Sequence, residues 1–286
     1  MNSKVLIIAG MHRSGTSLVT QWLQRCGLSI GKSLFPADVG NLDGHFEDTD
    51  FLDIHRRFLK KRYCPDTGFI YNNIPAISHQ EKKELKALIT VKDQQHGQWG
   101  WKDPRTCLFL EPYHELIPSA YYLFIIRDFH ATVNSMLARE YKVHIKKFNT
   151  KKGLSRLKWV LFKKKTVEEM YVLNAENFLR IWIHYYEQIV QAIRKLPRGR
   201  CFFVRFTSLI KDDTDTFDHL TNQWGFLLDH IPFNEVYKKE LVSEVRNVEE
   251  YIADKTLIER AKSLEKEFAR YFVERVEGFN KLRVMN

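Results

Sequence analysis

Residues 5–17 read Val5-Leu6-Ile7-Ile8-Ala9-Gly10-Met11-His12-Arg13-Ser14-Gly15-Thr16-Ser17: an apolar run, a glycine turn and the opening of an amphipathic segment. An unbroken apolar run of this length is what a parallel strand covered on both faces requires. From Thr16 to Arg25 the apolar residues Leu18, Val19, Trp22 and Leu23 recur at helical spacing, and Gly27 closes the segment. Where a strand turns through glycines into a helix, consecutive backbone N–H groups can converge on an anion, helped by the partial positive charge of the helix N-terminus. Against the pattern GxxxxGK[ST], both glycines and the final hydroxyl are present, but Thr16 stands in the lysine position. Such a cradle still holds a phosphate, yet it is poorly suited to neutralise a triphosphate tail. Arg13, inside the loop, can serve an anion placed elsewhere. The plain alternative is a glycine turn capped by Ser14 or Ser17.

Outward from this stretch the chain alternates strands and helices. Gln98–Lys102 is a short strand signal halted by Asp103-Pro104, Tyr121–Ile126 is a strong one, and Cys201–Phe206 is a third. Helices are predicted from Thr49 to Lys61 and from His79 to about Gln94, the latter opened by Ser78 with Glu81 three residues on, a capping-box pattern. A helical stretch runs through Glu140, and a long helix from Ala175 to Leu196 places Phe178, Ile181, Trp182, Tyr185, Ile189 and Ile193 on one face. Alternation of this kind predicts a layered α/β fold with a mainly parallel sheet. No Pro/Gly/Ser-rich linker divides the chain, so residues 1–286 are expected to form one domain with helical insertions.

With 44% hydrophobic and 28% charged residues, the 286-residue chain is neither disordered nor collagen-like. Cys26, Cys64, Cys107 and Cys201 form no CxxC pair, so they read as thiols in a reducing compartment rather than a zinc site or disulfide framework. The N-terminal apolar run ends at Gly10, too early for a secretory segment, and a cytoplasmic, non-membrane protein is expected. The formal charge of +10 points toward anionic partners. From Lys142 to Lys165 there are ten Lys/Arg and no acidic residue, which equals the entire excess. Leu154, Leu157, Val160 and Leu161 predict a basic amphipathic helix in that 142–165 segment. A solvated face, a lid or groove for an anionic acceptor, and a membrane-surface contact all remain open for it.

A second anion site is suggested by Ile125-Ile126-Arg127-Asp128, with Ser135 eight residues after Arg127. Arg127 falls at the C-terminal end of a strand, where open parallel sheets bind ligands. Ser135 falls two turns into the following helix. A guanidinium and a hydroxyl converging there suit a second, separate phosphate; a salt bridge or helix cap is the plain alternative.

Together the two motifs resemble the sulfotransferases that use 3′-phosphoadenosine-5′-phosphosulfate. Gly10 to Ser17 is similar to that family's 5′-phosphosulfate loop, and Arg127 with Ser135 to its 3′-phosphate pair at the family's spacing. Gly44-His45-Phe46-Glu47-Asp48 and Trp101-Lys102-Asp103-Pro104-Arg105 resemble segments of bacterial carbohydrate- and small-molecule-type members. Arg13 stands where the cytosolic branch has lysine and tyrosylprotein members have arginine. Phe206 replaces a tyrosine often found there, and the Arg-Lys-Gly segment of the cytosolic branch is missing.

The resemblance implies a three-layer, P-loop NTPase-like fold. It also implies transfer of a sulfuryl group to a hydroxyl acceptor, of a saccharide or other small molecule, leaving adenosine 3′,5′-bisphosphate. His12, Arg13, Ser14, Gly15, Thr16, Ser17, Arg127 and Ser135 would bind the donor. Arg13 and Lys102 would stabilise charge on the bridging oxygen and the moving group, and Arg105 suits an anionic part of donor or acceptor. A sulfuryl group carries less charge than a γ-phosphoryl group, so cationic side chains suffice and no metal is required. Glu47 is the leading candidate for the base that takes the acceptor proton. His45 is its rival, since imidazole titrates near neutrality; Glu47 or Asp48 could instead cap the helix opening at Thr49. The acceptor could be an anionic saccharide or a lipid headgroup. A nucleotide-dependent kinase with Asp128 as its metal-site acid, and an anion- or nucleic-acid-binding protein driven by the basic segment, are the competing classes. The absent loop lysine argues against the kinase, and the binding-protein reading does not give Arg127 and Ser135 their place; nucleic acid is not expected.

Overall fold

Four parallel strands, β1 (Lys4–Ala9), β2 (Gln98–Lys102), β3 (Tyr121–Ile126) and β4 (Cys201–Arg205), lie side by side in the order β2-β1-β3-β4. The computed structural model describes residues 3–37, 44–149, 154–237 and 246–284, without the side chains of 147–149, 154–164, 166 and 273–284. Ile7 lies opposite Trp101 on one side and Tyr122 on the other, and Ile126 opposite Arg205.

Strand side chains alternate between two apolar layers, which is why the runs are continuously hydrophobic. Leu6, Ile8, Leu123, Ile125, Phe202 and Val204 pack with Val19, Trp22 and Leu23 of α1 (Thr16–Arg25). Val5, Ile7, Ala9, Tyr122, Phe124, Ile126 and Phe203 face the opposite layer. That layer is built by α2 (Thr49–Lys61), α3 (His79–Gln95), α4 (Leu110–Leu116) and α6 (Leu154–Ile193), with α5 (Phe129–Asn149) packed along α6. The result is a three-layer α/β fold in which all four strands point their C-terminal ends at the Gly10–Ser17 turn.

Local sequence accounts for the helix ends. The capping box is formed: Glu81 N–H donates to Ser78 Oγ at 3.2 Å, and Ser78 N–H to Glu81 Oε2 at 2.7 Å. Asp48, not Glu47, caps α2, accepting from Asp50 N–H at 2.9 Å, and its other oxygen accepts from Lys92 at 2.6 Å.

Three elements differ from expectation. The predicted Ala175–Leu196 helix ends at Ile193 and begins at Leu154, so it and the predicted basic helix are one 40-residue element. Lys142 to Asn149 belong instead to α5; the facing of Leu154, Leu157, Val160 and Leu161 lies outside the described side chains. β4 stops at Arg205, and Phe206 opens α7 (Phe206–Lys211), followed by α8 (Thr214–Asp218). The unanticipated α9 (Lys255–Val284) packs Ile258, Ala261, Leu264 and Phe268 into the core layer of α6. Its apolar positions are interleaved with Lys, Glu and Arg, which weakens the stripe in the sequence.

Candidate functional site

The turn between β1 and α1 is held by its own atoms. Ser14 donates both its backbone N–H, at 3.2 Å, and its hydroxyl, at 2.7 Å, to the Met11 carbonyl. The backbone then passes through positive φ at Arg13 (66°) and Gly15 (95°). A Cβ at Gly15 would sit 2.2 Å from the Phe206 ring, and one at Gly10 would sit 2.8 Å from the Ile125 carbonyl. Both glycines are therefore fixed by space, and Gly15 by conformation as well. Ser14 is spent on closing the turn; Thr16 is buried, and its carbonyl accepts from Thr20 Oγ1 at 2.8 Å.

The two motifs, 115 positions apart in the sequence, meet here. Arg13 Nε donates to Ser135 Oγ at 3.1 Å, and Arg127 Nη1 donates to the Arg13 carbonyl at 2.8 Å. Arg127 is anchored at its backbone by Tyr186, whose hydroxyl accepts from the Arg127 N–H at 2.8 Å and donates to its carbonyl at 2.6 Å. Its guanidinium lies 5.5 Å above the ring of Phe206. Phe206 is thus wedged between the loop glycine and the arginine. Burial pushes the Arg127 guanidinium below its usual value, with Asp128 opposing only in part. A buried cation whose charge is incompletely compensated is suited to an anionic ligand.

The third cation comes from the end of β2. Lys102 is 1% exposed and donates to Ser17 Oγ at 3.2 Å, to Glu47 Oε1 at 3.0 Å and to the His45 carbonyl. Burial lowers its ammonium from the usual range against the pull of Glu47. Arg105, one turn further on, places Nη1 at 2.7 Å from Asp103 Oδ1 and 3.8 Å from Glu47 Oε2, while its Nε donates to the Asp66 carbonyl at 2.7 Å. Glu47 is therefore flanked by two cations. The His45 ring packs against Phe35, with ring centres 4.8 Å apart.

His12 is buried beneath the 64–72 loop, edge-on to Phe69 at 4.9 Å and near Tyr185 at 5.8 Å. Tyr185 in turn donates to the Gly68 carbonyl at 2.9 Å. Burial, followed by the neighbouring Arg105, holds the His12 imidazole well below its ordinary value. Its Nε2 makes no hydrogen bond. Among the described residues no group of His, Cys, Asp and Glu is arranged to hold a metal ion, and no helix is long and apolar enough to cross a membrane.

Sequence reasoning passed over one part of this region. Behind Arg105, Asp103 Oδ2 accepts from His55 Nδ1 at 2.8 Å, and Tyr113 Oη meets His55 Nε2 at 2.7 Å. All three residues are fully buried. The available signal was a histidine in the apolar stripe Phe51-His55-Phe58 of α2, a pattern that by itself says only that the imidazole needs partners.

A parallel sheet with a glycine-turn anion cradle and basic side chains gathered at its strand ends defines an α/β protein of the P-loop type. Residues 6–229 match the model of the sulfotransferase family, and the chain belongs to that family. No curated protein matches the chain. Among solved structures it is similar to sulfotransferase STF9 of Mycobacterium avium, at 14% identity and a TM-score of 0.52 over 93% of this chain and 77% of that one. It is also similar to the sulfotransferase domain of the Synechococcus PCC 7002 olefin synthase, at 15% identity and a TM-score of 0.50 over 94% and 95% of the two chains. At these identities the likeness is one of fold. Family and fold together make the protein a transferase of sulfuryl groups.

Proposed function

We propose that the chain moves a sulfuryl group from 3′-phosphoadenosine-5′-phosphosulfate to the hydroxyl of a saccharide or other small molecule. The acceptor oxygen forms a bond to sulfur as the bond from sulfur to the bridging phosphate oxygen breaks in line with it. The electron pair leaves with adenosine 3′,5′-bisphosphate, and the hydroxyl proton passes to a protein base. Catalysis of this kind rests on positioning and charge stabilisation. The observation that carries the reading is the hydrogen-bonded meeting of Arg13, Ser135 and Arg127, because a donor with phosphates on opposite sides of its ribose needs two linked anion sites.

In this reading the backbone N–H groups of the His12–Ser17 loop other than that of Ser14 hold the 5′ end, with Ser14, Gly15 and Thr16 shaping the turn, while Arg127 and Ser135 take the 3′-phosphate. The half-buried Arg127 and the buried Lys102, both partly compensated cations, fit such a ligand. Arg13 and Lys102 neutralise charge on the bridging oxygen and sulfuryl group, and Arg105 faces an anionic part of donor or acceptor. Glu47 takes the proton. It lies between Lys102 and Arg105; once Lys102 turns to the sulfuryl group, the oxygen that met it is free to accept. His45 is the alternative base. The four cysteines are free thiols, which fits a cytoplasmic enzyme acting as one unit.

The acceptor side is basic. Ser135, Arg139, Lys142 and Lys146 stand four, three and four residues apart on α5, and so share one helix face. That face begins at the Arg13 contact and runs outward, with Lys142 and Lys146 exposed. It favours an acceptor that carries negative charge near its hydroxyl, as an acidic saccharide or a lipid headgroup does.

Calorimetry with adenosine 3′,5′-bisphosphate and with ATP–magnesium tests the donor. Preference for the bisphosphate is expected; preference for ATP–magnesium would return the protein to the kinase class. Transfer of labelled sulfate into pooled metabolites then finds the acceptor.

A further inference from the structure

Taking the sulfuryl-transfer reading as its basis, we propose that the buried chain Tyr113–His55–Asp103 is a positioning device. It sets the guanidinium of Arg105 and, through it, the Glu47–Lys102 pair. Polar side chains sealed inside an aromatic core are unfavourable unless every member is satisfied. Here the satisfaction is directional. The Asp103 carboxylate can only accept, so His55 Nδ1–H is its donor (2.8 Å), which pairs Nε2 with the Tyr113 hydroxyl (2.7 Å). The imidazole plane is fixed independently by parallel stacking on Phe109, with centres 5.2 Å apart and planes within 6°.

With Oδ2 taken by His55, Asp103 Oδ1 is turned to Arg105, accepting its backbone N–H at 3.0 Å and its Nη1 at 2.7 Å. The Asp66 carbonyl holds Nε from the other side. The guanidinium therefore has one orientation, with Nη1 3.8 Å from Glu47 Oε2, while the opposite Glu47 oxygen meets Lys102. A continuous polar path thus runs from the core to Ser17 of the anion loop. An apolar filler at His55 would serve packing as well or better; it would not fix a carboxylate. The arrangement parallels a triad in which an aspartate selects a histidine tautomer, with a tyrosine hydroxyl as the partner of the second ring nitrogen. None of the three residues is assigned contact with donor or acceptor.

The test uses the full chain with three substitutions. His55→Asn keeps an N–H near the Nδ1 position, His55→Phe keeps the stacked ring without a donor, and Tyr113→Phe removes only the hydroxyl. Turnover of labelled 3′-phosphoadenosine-5′-phosphosulfate, affinity for adenosine 3′,5′-bisphosphate and thermal midpoint are measured for each. Outer partners that orient a functional group are worth about 10- to 100-fold in other systems. His55→Phe should lose that much in kcat with donor affinity within about twofold of the parent, and His55→Asn should regain most of it. Equal losses in the two His55 variants, or an unchanged kcat in Tyr113→Phe, would overturn the proposal; Tyr113→Phe decides the matter if His55→Phe does not fold. Failure of the parent to bind the bisphosphate is a different result. It removes the sulfuryl-transfer reading, and this inference with it.

Discussion

Replacing Arg127 with alanine should separate the two ends of the proposed donor site. Arg127 gives one charge-assisted bond to the Arg13 carbonyl at 2.8 Å and carries a cation that burial disfavours. Loss of that bond, about 1–2 kcal/mol, is offset by relief of the buried charge, so the variant should stay folded. With ligand the balance changes. A 3′-phosphate taking two charge-assisted bonds of about 1.5–3 kcal/mol each loses about 3–6 kcal/mol, or about 100- to 10,000-fold in Kd at ~1.4 kcal/mol per tenfold. The assay is calorimetry of parent and Arg127→Ala with adenosine 3′,5′-bisphosphate and with adenosine 5′-phosphate, which lacks the 3′ group. The bisphosphate should suffer the full loss and the monophosphate less than about threefold. Arg127→Lys should fall between, since it keeps charge and gives up the fork. Equal losses for the two ligands would mean that Arg127 acts on the loop rather than on a phosphate, and the assignment would fail.

Glu47→Gln should leave bisphosphate affinity near the parent value and lower kcat by about 100-fold or more, as expected for loss of a general base; undiminished turnover moves the role to His45. Lys142→Glu combined with Lys146→Glu should raise KM for an anionic acceptor and flatten its salt dependence without changing donor affinity, whereas an unchanged KM would mark that face as merely solvated. Glu81 gives a pH test of the scaffold. Arg62 bonds both its oxygens, at 2.8 and 2.7 Å, and holds its carboxyl at about 2 against an ordinary 4.5. A depressed carboxyl stabilises the fold above its unfolded value, by about 2–3 kcal/mol here, and that contribution fades as pH falls from about 4.5 toward 2. Urea unfolding of parent and Glu81→Gln should therefore differ at pH 7 and converge near pH 2–3; a gap independent of pH contradicts the pairing.

The sheet was legible because its chemistry is local. Lys4–Ala9, Gln98–Lys102 and Tyr121–Ile126 are apolar runs bounded by glycine, proline or charge, and the Ser78–Glu81 box marks a helix start without tertiary help. The errors lie where local signals are silent. Nothing between Leu154 and Ala175 breaks a helix, so the division of α6 was an artefact of its changing composition rather than a property of its backbone. Phe206 continues an apolar run, yet turns into α7 because its ring must lie beside Gly15 and Arg127. Of the candidate site, residue types and spacing suggested the Arg13 loop and the Arg127–Ser135 pair as two separate anion sites, and the family resemblance joined them. They could not supply His55 and Tyr113, whose relation to Asp103 exists only when α2, α4 and the end of β2 pack together.

The contacts of these cations also bear on which carboxylate is proposed to take a proton. The cations of the cleft rest on two kinds of partner. Ser135, Ser17 and the carbonyls of Arg13 and His45 are neutral, so exchanging them for an anion uncovers no charge. Glu47 and Asp103 are carboxylates, but they are not equivalent. Asp103 accepts from His55, from the Arg105 backbone and from the Arg105 guanidinium. Burial alone would raise its carboxyl; Arg105 and His55 outweigh that and hold it well below the usual range. Glu47 has no comparable lock. Its nearest cation, Lys102, also touches Ser17 of the anion loop, and Arg105 stands off at 3.8 Å. An anion drawn into the loop competes for Lys102 with Glu47 and leaves Asp103 undisturbed. On the proposed donor placement the same event that loads the donor would release Glu47, and that coupling, rather than proximity alone, is the ground on which we propose it as the base.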